Sequence, residues 1–129
     1  MTVSKDDPGS APLVAKLLFN SLTQTSLKGF RGPMESQQIV FKAEDLSIHL
    51  RVSKPEEERV ILGQIMRESP GSFVSSTTVN LMLGTNKIDS VVTNSLGEFR
   101  FGSVPAGALT LEAEIPPRRV IADFKVIGD

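Results

Sequence analysis

The sequence predicts a mainly β protein in which one N-terminal helix precedes seven to eight short strands. From Gln38 onward, apolar and polar residues alternate with a period of two in a series of short segments. Turns rich in Gly and Pro separate these segments, and no crossover helix lies between them, which favours an antiparallel sandwich or barrel. Before this region, large apolar residues recur at helical spacing.

The predicted helix covers residues 12–25. Ser10 is placed to cap it, and Pro12 falls in the first turn, where a missing N–H costs nothing. Gly29 and Gly32 prevent its continuation. Four apolar residues three and four positions apart form one stripe: Val14, Leu17, Leu18 and Leu22. We expect this stripe either to pack on the protein's own sheets or to bind a partner protein.

The strands follow in order along the rest of the chain. Alternation, together with the turns rich in Gly and Pro, predicts them at residues 38–43, 46–52, 60–66, 78–83, 88–93, 98–101, 109–114 and 120–127. The second has the clearest alternation and places His49 on its polar side. The composition changes near residue 37, so we divide the chain into an N-terminal helix with a connecting segment, residues 1–37, and a β domain, residues 38–129.

The composition excludes several classes of function. The chain has 129 residues, a formal net charge of -1 and no Cys, which excludes a disulfide framework and a thiol nucleophile. A balanced charge gives no long-range attraction to nucleic acid or to an anionic membrane. The N-terminal residues lack the pattern of a secretory signal, so we expect a cytoplasmic protein with neither a nucleic-acid nor a membrane partner.

Catalytic and metal sites are not indicated either. His49 is the single histidine, and no serine lies in a Gly-x-Ser-x-Gly motif. Glu112 and Glu114 share one face of one strand, as surface carboxylates commonly do. We therefore expect no enzyme, no cofactor and no metal. A pocket of converging polar groups around His49 would argue for an enzyme instead.

Residues 60–114 carry a more specific pattern. Its centre is the run Thr93-Asn94-Ser95-Leu96-Gly97-Glu98-Phe99-Arg100-Phe101, followed by Val104-Pro105-Ala106-Gly107. Together they resemble the carboxypeptidase regulatory-like domain, a transthyretin-like (prealbumin-type) β-sandwich. The resemblance implies a seven-stranded Greek-key sandwich with roles in structural support and partner contact.

Each residue of this pattern has a physical role. We expect Gly97 to adopt a positive φ where the chain reverses, and Asn94 to bond the backbone of the same turn. Phe99 and Phe101 should enter the space between two sheets. Pro105 and Gly107 should form the next reversal.

The leading part of the chain carries a second resemblance. Residues 18–22, 30–32 and 45–50 are similar to small uncharacterised bacterial proteins that join an N-terminal helix to this sandwich, some of which accompany extracytoplasmic-function sigma factors or stress-signalling proteins. We therefore expect a non-catalytic protein-interaction or regulatory module. The alternative is a carbohydrate-binding accessory sandwich, for which Phe30 and Phe73 are the candidate aromatic contacts.

Overall fold

The structure is a computed structural model that describes residues 11–20, 36–54, 58–69, 71–116 and 118–126. Two β-sheets make up this part of the protein. These residues contain eleven strands and no helix. The strands are β1 (Leu13–Val14), β2 (Lys16–Asn20), β3 (Ser36–Ala43), β4 (Leu46–Ser53), β5 (Val60–Arg67), β6 (Ser72–Phe73), β7 (Thr78–Leu83), β8 (Asn86–Val92), β9 (Glu98–Phe101), β10 (Gly107–Ile115) and β11 (Arg118–Val126).

The sheets are mostly antiparallel. Sheet A has the order β1-β11-β10-β7-β8, and sheet B has the order β2-β3-β4-β5, with β6 and β9 sharing the far side of β5. The pairing of β1 with β11 is parallel, whereas the other strand pairs are antiparallel. The described residues therefore form a sandwich of two sheets. Of the two architectures predicted from the sequence, the sandwich is correct and the barrel is wrong.

The core lies between the inner faces of the two sheets. Phe41 of sheet B meets Phe124 of sheet A edge to face, with 6.4 Å between the ring centroids. Phe99 and Phe101 are buried in the same cluster, so their predicted place between the sheets is confirmed. Each large apolar side chain buried in this way contributes roughly 1.5–3 kcal/mol. This layer joins the two sheets.

Gly63 is required by the residue across from it. Gly63 on β5 lies directly opposite Phe99 on β9, and the Phe99 ring covers the place where a Cβ would stand. A Cβ built on Gly63 would lie 2.1 Å from Phe99 Cζ. The absence of a side chain at Gly63 thus makes room for the aromatic ring in the core.

The turn between β8 and β9 follows the prediction closely. Asn94 Oδ1 accepts hydrogen bonds from the backbone N–H groups of Leu96 and Glu98, each at 2.9 Å. Gly97 has φ +73°, and a Cβ there would lie 2.4 Å from the carbonyl oxygen of Ile65. The chain also reverses at Gly107, whose φ is +113°.

The predicted N-terminal helix is wrong within the described residues. Val14 belongs to β1, and Leu17 and Leu18 belong to β2, so these residues do not form a helical stripe. Leu22 and the rest of residues 21–25 lie outside the described residues. The physical reason is that β11 and β3 offer open sheet edges to this segment, and a short apolar run fits a strand as readily as a helix.

The strands predicted from residue 38 onward are all present, with ends shifted by no more than two residues. The part of the chain that the structure describes has eleven strands instead of seven or eight, because β1 and β2 replace the helix and β6 forms in the predicted loop at residues 68–76. The division of the chain after residue 37 stays a prediction. No helix in the described residues is long and apolar enough to cross a membrane.

Candidate interaction surfaces

The N-terminal edge, which we define as residues 13–20, runs along one side of both sheets. Leu13 and Val14 pair with β11 in sheet A, and Lys16 to Asn20 then pair with β3 in sheet B. The change of sheet occurs at Ala15, which is buried and donates its backbone N–H to the Ile121 carbonyl at 2.8 Å. One short segment therefore contacts both layers of the sandwich.

This edge exposes large apolar side chains. Val14 is 69% exposed and Leu18 is 56% exposed, and Leu17 and Phe19 are exposed to a smaller degree. Leu18 falls at a bulge, because Leu17 pairs with Phe41 and Phe19 pairs with the next residue, Val40. The structure thus brings together three of the four predicted partner-binding residues, on strands, whereas Leu22 lies outside the described residues.

β2 and β8 are both edge strands, but they differ in the charge of their side chains. No strand pairs with the outer side of either one within the described residues. β8 carries Lys87 and Asp89, and charges of this kind discourage pairing with another strand. After Lys16, β2 presents only apolar side chains until Asn20. Its backbone and side chains are therefore the better suited to receive another strand.

A second surface is an open groove of about 810 Å³ on the outer face of sheet B. β3, β4, β5 and β9 form its floor, with the end of β8 beside them. The strand register places side chains in rows across this floor. In one row Arg51 lies opposite Leu62, and Leu62 lies opposite Arg100. In the next row His49, Gln64 and Glu98 are paired in the same way.

The two arginines of this groove differ from the other described arginines. The remaining four have partners within the fold: Arg59 donates to the Val104 carbonyl, Arg67 lies near Asp45, Arg118 near Glu44, and Arg119 near Glu112. Arg51 and Arg100 are exposed, and neither has a hydrogen bond or ion pair with another described residue. Their positive charges are thus available to a ligand.

Sequence patterns give only part of this arrangement. The alternation within β4 predicts that Arg51 faces outward, and the sequence Phe99-Arg100-Phe101 predicts the same of Arg100. The position of the two arginines on either side of Leu62 depends on the register between strands, which local sequence patterns do not specify.

His49 lines the groove and is exposed, as the strand pattern predicts. Its Nε2 lies 3.2 Å from Ser47 Oγ, a contact between side chains two residues apart on one strand face. Ser47 is nearly buried and does not line the groove, and none of the described carboxylates hydrogen-bonds His49. The pair lacks the third group that orients a catalytic histidine. The absence of enzymatic activity stays a prediction.

The outer face of sheet A carries a polar cluster around Asn80. Asn80 is 1% exposed and donates to Glu112 Oε1 at 3.1 Å and to Glu114 Oε2 at 2.9 Å. Its side-chain oxygen accepts a hydrogen bond from Ser90 Oγ at 2.7 Å. Arg119 donates to Glu112. The two carboxylates named from the sequence are therefore engaged in holding neighbouring strands together.

Of the two aromatic residues predicted to contact carbohydrate, one lies within the described residues. Phe73 on β6 is 45% exposed and lies opposite Met66, whereas Phe30 lies outside the described residues. Phe19 was not among the sequence-based candidates, although it is exposed beside Val40. The aromatic residue that lines the groove, Phe99, is buried.

Comparison with known proteins gives no assignment. No family model matches this chain, and no curated protein matches it either. The interpretation of the two surfaces therefore depends on their own chemistry.

Proposed function

We propose that this protein is a non-catalytic protein-interaction module, and that its partner adds an extended segment to the outer side of β2. The observation that carries the proposal is the exposure of Leu17, Leu18 and Phe19 on a strand whose outer side has no neighbour in the described part of the chain. Strand addition satisfies the unpaired backbone groups of such an edge, and the apolar side chains contribute the burial.

The family and the biological setting are further parts of the proposal. The turn chemistry of Asn94, Gly97 and Gly107 supports a sandwich of the carboxypeptidase regulatory-like, transthyretin-like type. The similarity of the leading residues to small bacterial proteins supports a regulatory role in a sigma-factor or stress-signalling system in the cytoplasm.

The test compares Leu18→Asp with a matched control, Leu96→Asp. Both leucines are about half exposed, and Leu96 lies in the turn between β8 and β9. A partner captured from the source organism is purified, and its affinity for the wild-type protein and both variants is measured, together with hydrogen exchange of the β2 amides. We expect Leu18→Asp to weaken binding about tenfold, because a charge enters an apolar contact, and Leu96→Asp to leave binding unchanged.

Two outcomes would contradict strand addition at β2. One is equal binding by the wild-type protein and Leu18→Asp. The other is a complex in which the amides of Lys16 to Asn20 exchange as fast as in the free protein. Circular dichroism of each variant separates lost binding from lost folding.

Carbohydrate binding is the second candidate function. It is favoured by the exposed ring of Phe73, because an open aromatic face is what a sugar stacks against. A glycan array probed with the wild-type protein and with Phe73→Ala tests it. A glycan bound only by the wild-type protein would support this function, and an array without signal would remove it.

A further inference from the structure

The groove on sheet B has a distinct chemistry that the proposed strand addition at β2 does not use. Its floor combines two guanidinium groups, which have no partner among the described residues, with an apolar side chain between them, since Leu62 is 43% exposed. Adjacent strands lie about 4.8 Å apart, so Arg51 and Arg100 are attached about 10 Å from each other across Leu62. A ligand for this row needs two separated negative charges and an apolar group between them.

We propose that this groove binds an extended acidic peptide segment with the pattern acidic-x-apolar-x-acidic. In an extended chain, alternate side chains point to the same side, so the two acidic residues and the apolar residue face the groove together. The Cα atoms of the two acidic residues are about 13 Å apart in this pattern. The long stems of two arginines attached about 10 Å apart can splay to meet carboxylates at this spacing.

The rest of the groove supports a peptide over other anions. His49 and Gln64 add polar side chains along the floor. Gln64 Nε2 donates to the Leu96 carbonyl at 2.9 Å, so its side-chain oxygen is the group suited to accept a hydrogen bond from a peptide N–H. Glu98 also lines the groove, with its carboxylate held by Asn94 Nδ2 at 3.1 Å. Because Glu98 and the two arginines line the same groove, its charge is mixed, which matches a ligand with two separate acidic groups better than a uniformly charged polyanion such as nucleic acid.

Acidic polysaccharide is the competing ligand class. Sugars usually stack on an exposed aromatic face, and the aromatic residue that lines this groove, Phe99, is buried. The exposed Leu62 instead matches an apolar amino-acid side chain. These observations favour the peptide.

The experiment uses a fluorescein-labelled synthetic peptide, Ser-Glu-Thr-Leu-Thr-Glu-Ser, and its counterpart with glutamine at both glutamate positions. Binding is measured by anisotropy to the wild-type protein and to the double variant Arg51→Gln/Arg100→Gln. The matched control is the double variant Arg118→Gln/Arg119→Gln, because it also removes two positive charges, from arginines outside the groove that pair with Glu44 and Glu112. Two exposed ion pairs of about 0.7 kcal/mol each correspond to about a tenfold change in affinity.

We expect Arg51→Gln/Arg100→Gln to bind the acidic peptide about tenfold more weakly than the wild-type protein does, and the control variant to bind it equally well. The wild-type protein should bind the glutamine peptide about tenfold more weakly than the acidic peptide. Raising the salt concentration should weaken binding of the acidic peptide. Chemical-shift mapping on the wild-type protein, which does not depend on the folding of any variant, should locate the peptide at Arg51, Leu62 and Arg100.

The proposal is overturned if the peptide does not bind, if Arg118→Gln/Arg119→Gln weakens binding as much as Arg51→Gln/Arg100→Gln, or if the shifts lie outside the groove. It is also overturned if an oligogalacturonate of equal charge binds more tightly than the peptide, since the ligand is then an acidic glycan. Leu18→Asp should leave peptide binding intact. The proposal of peptide binding in the groove and the proposal of strand addition at β2 can therefore be contradicted independently.

Discussion

At the scale of single residues, Gly63 shows how one strand position is determined by its neighbour across the sheet. Replacing it with alanine places a methyl group where the Phe99 ring lies. We expect Gly63→Ala to lower the free energy of unfolding by about 1–3 kcal/mol, the usual cost of overpacking a core. Urea unfolding followed by circular dichroism measures it, since the chain has no Trp or Tyr for fluorescence.

Gly102→Ala is the control for this prediction, because the nearest atom to its added Cβ is Arg100 Nη1 at 3.6 Å. It should change stability by no more than about 0.5 kcal/mol. Combining Gly63→Ala with Phe99→Leu should restore part of the loss, because the two residues share one space. Equal stability of Gly63→Ala and the wild-type protein would contradict this account of the Gly63–Phe99 contact.

Residues also differ in how well the sequence predicts them. The roles of Asn94 and Gly97 follow from the sequence because a turn is built from neighbouring residues, and both are confirmed. The burial of Phe99 follows from alternation. The need for glycine at Gly63 arises from Phe99 on β9, which is far away in sequence. The pairing of Arg51 with Leu62 depends on the register between β4 and β5, which alternation within each strand does not specify.

At the scale of elements, the N-terminal segment is where local patterning is misleading. Val14, Leu17 and Leu18 fit a helical stripe, but β11 begins about a hundred residues later and supplies the open edge that makes residues 13–14 a strand. The long strand β4 is predicted closely because its apolar and polar residues alternate along its whole length. A segment of two to five residues repeats it too few times to distinguish the alternatives.

The crossing at Ala15 gives a prediction for this element. Ala15→Pro removes the N–H that bonds the Ile121 carbonyl. We expect a loss of about 1–3 kcal/mol in stability and faster hydrogen exchange of amides near Ile121. Ala11→Pro is the control, since Ala11 is exposed and precedes the first strand. Unchanged exchange in Ala15→Pro would show that β1 does not depend on this bond.

At the scale of the whole molecule, the shared core predicts that both sheets unfold together. Leu111 of sheet A is fully buried in the cluster that includes Ile48 and Leu50 of sheet B. We expect Leu111→Ala to lower stability by about 2–5 kcal/mol, from lost burial and the cavity it leaves. Hydrogen exchange of sheet B amides should accelerate with that of sheet A. If sheet B kept its protection, the two sheets would be separate folding units.

The parallel pairing of β1 with β11 has a mechanical consequence. Both strands run in the same direction, so tension that enters ahead of β1 and leaves beyond β11 pulls them past each other along their length. Their hydrogen bonds are then loaded in shear and must break together, whereas a hairpin pulled from its open end separates one bond at a time. The Ala15 bond to Ile121 and the pairing of β2 with β3 add to this resistance. The N-terminal edge is therefore placed to hold the sandwich closed when the chain is under tension.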